Sequence, residues 1–111
     1  MKVAVIGSRS LSVSNLGKYL PDGTNEIVSG GAVGIDRCAR DYALSRGIKL
    51  TEFLPEYDKY GRYAPLKRNI SIIEYSDAVI AFWDGKSRGT KFVFDKCRIE
   101  NKPIKIYLKT R

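Results

Sequence analysis

Three glycine-bearing segments carry the residue types best suited to chemistry in this chain: Gly7 to Ser10 (GSRS), Ser29 to Asp36 (SGGAVGID) and Asp84 to Thr90 (DGKSRGT). Each follows a short apolar run. Gly30, Gly31 and Gly34 remove side chains where the backbone must turn sharply, so that several amide N–H groups can converge on an anion at the positive end of the helix that follows. Gly7 and Gly89 do the same in the other two turns. Ser8, Ser10, Ser29, Ser87 and Thr90 can donate to phosphate oxygens, and Arg9 and Arg88 add charge-assisted bonds. A phosphate pocket needs this mixture. Asp36 either complements the dipole of the helix it opens or accepts from a ribose hydroxyl.

Other chemistries find less material. The chain has no histidine, and its two cysteines, Cys38 and Cys97, are far apart. The usual neutral-pH base and the commonest metal ligand are therefore missing, and no metal site is expected. Asp84 and Glu56 are the acids best placed to react, yet no paired carboxylates, Ser-His set or Cys-His set can be assembled. Arg68 and Asn69 reach the same edge only if the preceding loop folds back. That loop spaces Tyr57, Tyr60 and Tyr63 by threes, as a lid over a base or as simple packing. Trp83 can line a base pocket or merely end an apolar strand. Binding is better supported than turnover.

The elements that must position these residues can be read from the apolar pattern. Lys2–Ile6, Glu26–Ser29, Ile48–Leu54, Ala78–Trp83 and Ile104–Leu108 read as strands. Helices are expected at Val13–Leu20, Ile35–Arg46, Leu66–Tyr75 and Thr90–Asn101. In Ile35–Arg46, the residues Ile35, Cys38, Ala39, Tyr42 and Ala43 form one buried face, and Gly47 is the stop. The order β-α-β-α-β-loop-α-β-α-β implies an α/β fold, a single three-layer Rossmann-like domain over residues 1–111 with a five-stranded, mostly parallel sheet. Right-handed crossovers make 3-2-1-4-5 the economical strand order. All three glycine turns would then face one crevice at the carboxyl edge, where the strand order reverses.

Composition bounds the setting. With 43% apolar and 29% charged residues in 111, the chain reads as a soluble globular protein with strand-length apolar runs and no membrane partner. Its start, MKVAVIG, enters a strand directly, which suggests a cytoplasmic protein with buried free thiols. The net charge is +8, and 9 of the 20 Lys and Arg residues follow Gly85 against 2 of the 12 acids. This basic end suits an anionic ligand, nucleic acid or an acidic partner, or is a solvated face. Exposed outer strands would make a homo-oligomer unsurprising.

The ordered series VIGSRS (Val5–Ser10), SGGAVGID (Ser29–Asp36), Gly-Arg-x-Ala-Pro-x-x-Arg-Asn (Gly61–Asn69), SDAVIAFWDG (Ser76–Gly85) and SRGT (Ser87–Thr90) resembles the SLOG superfamily. These are the Rossmann-like domains shared by DNA processing protein A and the LOG-type phosphoribohydrolases. The series is most similar to the small YspA-like branch, also called the DUF2493 family. The resemblance implies a nucleotide-derived ligand such as an ADP-ribose derivative, held by Gly7, Ser8, Arg9, Gly30, Gly31, Gly34, Asp36, Arg68, Asn69, Ser87, Gly89 and Thr90, with no further cofactor. The LOG signature PGGxGTxxE is not reproduced, because Val93 stands where its glutamate would follow Thr90. Asp95 is two residues away and on a helix points elsewhere.

Three readings follow. The first is a sensor or carrier domain that binds a nucleotide. The second is a binder of single-stranded DNA like DNA processing protein A, with the C-terminal lysines adding affinity. The third is a nucleotide-processing hydrolase of phosphoribohydrolase type, using Glu56 or Asp84.

Overall fold

The computed structural model describes residues 1–109. β1 (Lys2–Gly7) lies at the centre of the sheet because it is apolar toward both faces. Val3 and Val5 enter one core with Ile27, Ile35, Ala39 and Phe82. Ala4 and Ile6 enter the other with Val28, Ile72, Ile73, Val93 and Cys97. A strand that buries alternate residues on opposite sides must be covered twice, which is what a parallel α/β sheet provides.

The remaining elements are β2 (Glu26–Ser29), α1 (Ile35–Arg46), β3 (Lys49–Glu52), α2 (Tyr57–Tyr60), α3 (Ala64–Tyr75), β4 (Ala78–Trp83), α4 (Arg88–Ile99) and β5 (Ile104–Leu108). The sheet order is β3-β2-β1-β4-β5. Every pairing is parallel, with Ala4 opposite Val28 on one side and Val79 on the other. The sheet is thus wholly parallel rather than mostly so, in a single Rossmann-like domain. α1 covers one face, and α3 packs with α4 on the other. Gly47 ends α1 in the left-handed conformation, φ 66°, ψ 27°, where a β-carbon would be strained.

The expected helix at Val13–Leu20 is corrected to one 3-10 turn, Leu16–Tyr19. The Val13 N–H turns instead to Cys38 Sγ at 3.4 Å, and Ser12, Ser14 and Asn15 are residues that compete with helical bonding. Cys38 and Tyr42 are consequently half-buried, not core residues. Among the described residues, α1 is then the only α-helix on that face, and it leaves the outer part of β4 and β5 to other cover. Three rings fill in, Tyr19 lying 5.0 Å from Phe82 and 4.8 Å from Tyr107.

The tyrosine loop is shorter than the sequence suggests. It folds into α2 and a 3-10 turn, Gly61–Tyr63, that runs directly into α3. α3 starts two residues before Leu66, with Pro65 in its first turn, where the missing N–H costs nothing. α4 likewise starts at Arg88 rather than Thr90, because Ser87 caps it. Among the described residues, no helix is long and apolar enough to cross a membrane.

Candidate functional site

Because all five strands run the same way, the segments after β1, β2 and β4 emerge at one edge. Between them lies a crevice of about 510 Å³. Gly7, Ser8, Arg9 and Ser10 line it from the first turn, Gly30, Ala32 and Asp36 from the second, and Asp84, Ser87, Gly89 and Thr90 from the third. α3 adds Pro65, Arg68 and Asn69, and Ile6, Ile72 and Val93 form an apolar floor. The position is the switch point of the sheet, where neighbouring strands send their connections to opposite faces.

The first and third turns are clasped together. Ser8 N–H donates to Phe82 O at 3.0 Å, and Asp84 N–H donates to Ser8 Oγ at 3.2 Å. Asp84 Oδ1 accepts from the Lys86 and Ser87 amides, both at 2.8 Å, while Oδ2 accepts from Ser10 Oγ at 3.2 Å. These amides, together with the Ser8 and Ser10 hydroxyls, hold the carboxyl down at about 2. Asp84 is therefore ionised and engaged at neutral pH. Ser87 Oγ accepts from Thr90 N–H at 3.3 Å and caps α4. The first intrahelical bond runs from Lys91 to Ser87 O at 3.2 Å, so the Arg88 and Gly89 amides have no acceptor within the helix.

The second turn meets α3. Arg68 Nη1 donates to Gly30 O at 2.7 Å and more weakly to Phe53 O at 3.4 Å, while Nε donates to Asn69 Oδ1 at 2.8 Å. Burial draws this guanidinium below its ordinary value, against the pull of Asp36. Asp36 is 8% exposed, and its Oδ2 accepts from Ala32 N–H at 3.1 Å. Burial pushes its carboxyl up, with the Ala32 amide and Arg68 opposing. A β-carbon on Gly30 would stand 2.8 Å from Arg68 Cζ and 3.0 Å from Asp36 Oδ2. Glycine is what leaves room for both charged groups beside the turn.

Several residues singled out in the sequence lie elsewhere. Ser29 is fully buried; its hydroxyl is near enough to Asp36 to favour the ionised form but makes no hydrogen bond of good geometry. Gly31 lines an adjoining hollow with Arg37, Arg40 and Glu52, which shares Ala32 and Asp36 with the crevice. Gly34, at φ 75°, is pressed against the Arg9 backbone, where a β-carbon would be 2.5 Å from Arg9 O. Arg88 is exposed at the start of α4. Trp83 donates from Nε1 to Ser87 O at 3.0 Å and packs edge-on to Phe94 at 5.2 Å, so it braces α4. Tyr57 is exposed, and Tyr60 lies under Lys59 and Lys67, both outside the crevice wall. Glu56 borders another hollow, between the end of β3 and α3.

Sequence reading missed Ala32, Pro65, Ile6, Ile72 and Val93. A helical stripe signals two of them: Pro65, Arg68, Asn69 and Ile72 recur at three and four residues on one side of α3. The chain matches no protein-family model, no curated protein and no solved structure. Among the described residues, no group of three or more Cys, Asp or Glu side chains is placed to hold a metal ion.

Proposed function

We propose that the crevice binds a nucleotide or nucleotide-derived ligand through its phosphates, and that the protein is a sensor or carrier domain of the SLOG type. One observation carries this reading: three turns distant in sequence line one cleft at the switch point of the sheet. Its volume falls within the roughly 300–1,000 Å³ usual for small-ligand sites. In this reading the free Gly89 amide, Ser87 and Thr90 receive a phosphate at the start of α4. Arg9, exposed and without an ion pair among the described residues, supplies the charge. Asp36 accepts from the ribose, and an ADP-ribose derivative fits the resemblance. A cytoplasmic setting suits the free thiols of Cys38 and Cys97.

Hydrolysis is less well supported. A carboxylate held at about 2 is a weak base at neutral pH, and Asp84 and Glu56 border different hollows. Single-stranded DNA is the second reading, favoured by the cation-covered rings of Tyr60 and Tyr63 near the start of α3.

A thermal-shift panel of nucleotides, dinucleotides and ADP-ribose, with oligo-dT as competitor, separates these readings. A ligand at about a hundred times its Kd adds about 2.7 kcal/mol, and Arg9→Ala weakens it about tenfold while the unliganded Tm stays unchanged. If no small molecule shifts the Tm and oligo-dT does so at low salt, the DNA reading replaces this one.

A further inference from the structure

The two outer strands of the sheet are finished differently. On β3, the flanking charges are neutralised within the chain: Arg40 pairs with Glu52 at 2.7 Å and Lys49 with Glu26 at 3.5 Å. β5 has no such closure. Lys105 and Lys109 have no acidic partner among the described residues, while Ile106 is 38% and Leu108 68% exposed.

Among the described residues, none bonds the outer side of the β5 backbone. Pro103 O accepts from Val79 N–H at 2.9 Å and Lys109 N–H donates to Trp83 O at 2.8 Å. In a parallel ladder the N–H and C=O of one residue point the same way and alternate along the strand. Odd-numbered residues therefore bond β4, and Ile104, Ile106 and Leu108 offer their N–H and C=O groups outward. Side chains alternate as well. Ile104 joins the α3/α4 core and Tyr107 the α1 core, which sets Ile106 and Leu108 on the former face and Lys105 and Lys109 on the latter. There Lys109 lies 5.5 Å and Lys18 5.1 Å from the Tyr19 ring, and Lys18 and Lys105, with Asp77 as the one acid, line an apolar groove of about 610 Å³ that includes Leu20, Pro21 and Tyr107.

We infer that β5 is a docking edge for an extended segment of another protein in which acidic and apolar residues alternate. Such a segment adds a sixth strand, its apolar residues covering Ile106 and Leu108 and its carboxylates meeting Lys105, Lys109 and Lys18. A second copy of this chain is disfavoured, because two β5 edges would bring lysines against lysines. Nucleic acid would satisfy the lysines but has no strand to pair with the open backbone.

The probe is an acetylated nine-residue peptide alternating glutamate and valine, titrated into the isotope-labelled full chain and followed by amide chemical shifts. Saturable changes at Ile104, Ile106 and Leu108 are expected, with at least about fivefold weaker binding to Lys105→Glu/Lys109→Glu of unchanged Tm. Ile106→Pro, which removes one outward N–H and no ladder bond, should abolish the changes. The inference is overturned if the peptide leaves β5 unmoved or if a lysine–valine peptide binds equally well. Displacement of the acidic peptide from β5 by oligo-dT, or β5 shifts that depend on protein concentration alone, would overturn it in favour of nucleic acid or of a dimer.

Discussion

Arg68 Nη1 donates to the carbonyl oxygen of Gly30 at 2.7 Å and so ties α3 to the turn that follows β2. Two residues 38 apart in sequence thereby set the width of the crevice on the side opposite the Ser8–Asp84 clasp.

Arg68→Ala should loosen that side. It leaves the buried Gly30 carbonyl without its donor and Asp36 without its neighbouring charge, at a cost of about 1–3 kcal/mol. A Tm lowered by several degrees checks this. Arg68→Lys keeps the charge but cannot serve Gly30 and Asn69 together, so it should recover less than half of the loss. Full recovery by lysine would show that charge alone is at work.

Two glycines of positive φ should respond unequally to alanine. At Gly34, φ 75°, the new β-carbon meets the carbonyl of Arg9, which is backbone and cannot swing aside. Gly34→Ala should cost more than about 2 kcal/mol. At Gly47, φ 66°, nothing stands within 4 Å, and only the left-handed strain of about 1 kcal/mol applies. Urea unfolding of both variants tests the order, and equal losses would mean that the contact with Arg9 is relieved by a backbone shift.

Asp84 and Asp36 should leave opposite marks on stability against pH. The Asp84 carboxyl lies at about 2 when folded, against an ordinary 3.8. Its contribution is fully present above about pH 4 and is lost as the pH falls toward 2, so Asp84→Asn should flatten the acid limb of the stability curve. The Asp36 carboxyl is raised by burial. The folded state then holds its proton more tightly than the unfolded chain, and stability from this group falls as the pH rises from the ordinary carboxyl value to the raised one. Asp36→Asn should therefore gain on the wild type across that window. Denaturant midpoints from pH 2.5 to 7, about the range over which carboxyl groups titrate, would reveal either trend, and parallel curves for all three proteins would remove both assignments.

Much of the frame was legible because apolar runs report burial directly. β2, α1, β4 and β5 have the bounds that their sequences suggest: β4 is continuously apolar, α1 carries a three-four helical stripe, and β2 and β5 are short runs bounded by turn residues and by Pro103. What was not legible depends on partners brought in from afar. Leu16 has helical surroundings, yet the Val13 amide is taken by Cys38 and the helix shrinks to a turn. Asp84 reads as a reactive acid until its bonds to the Lys86 and Ser87 amides are visible. Gly34 reads as a cradle for an anion, whereas its conformation serves the passage of Arg9. A residue type states what a group can do, and the fold decides whether that capacity is already spent.

The clasp between the turns after β1 and β4 also fixes the character of the crevice. Ser8, Ser10 and Asp84 bond to one another across more than 70 residues of chain, so that lip is set by bonds within the chain. Under the proposed binding role, discrimination there would work as a fixed template reads a shape, through amide positions that the chain has already set.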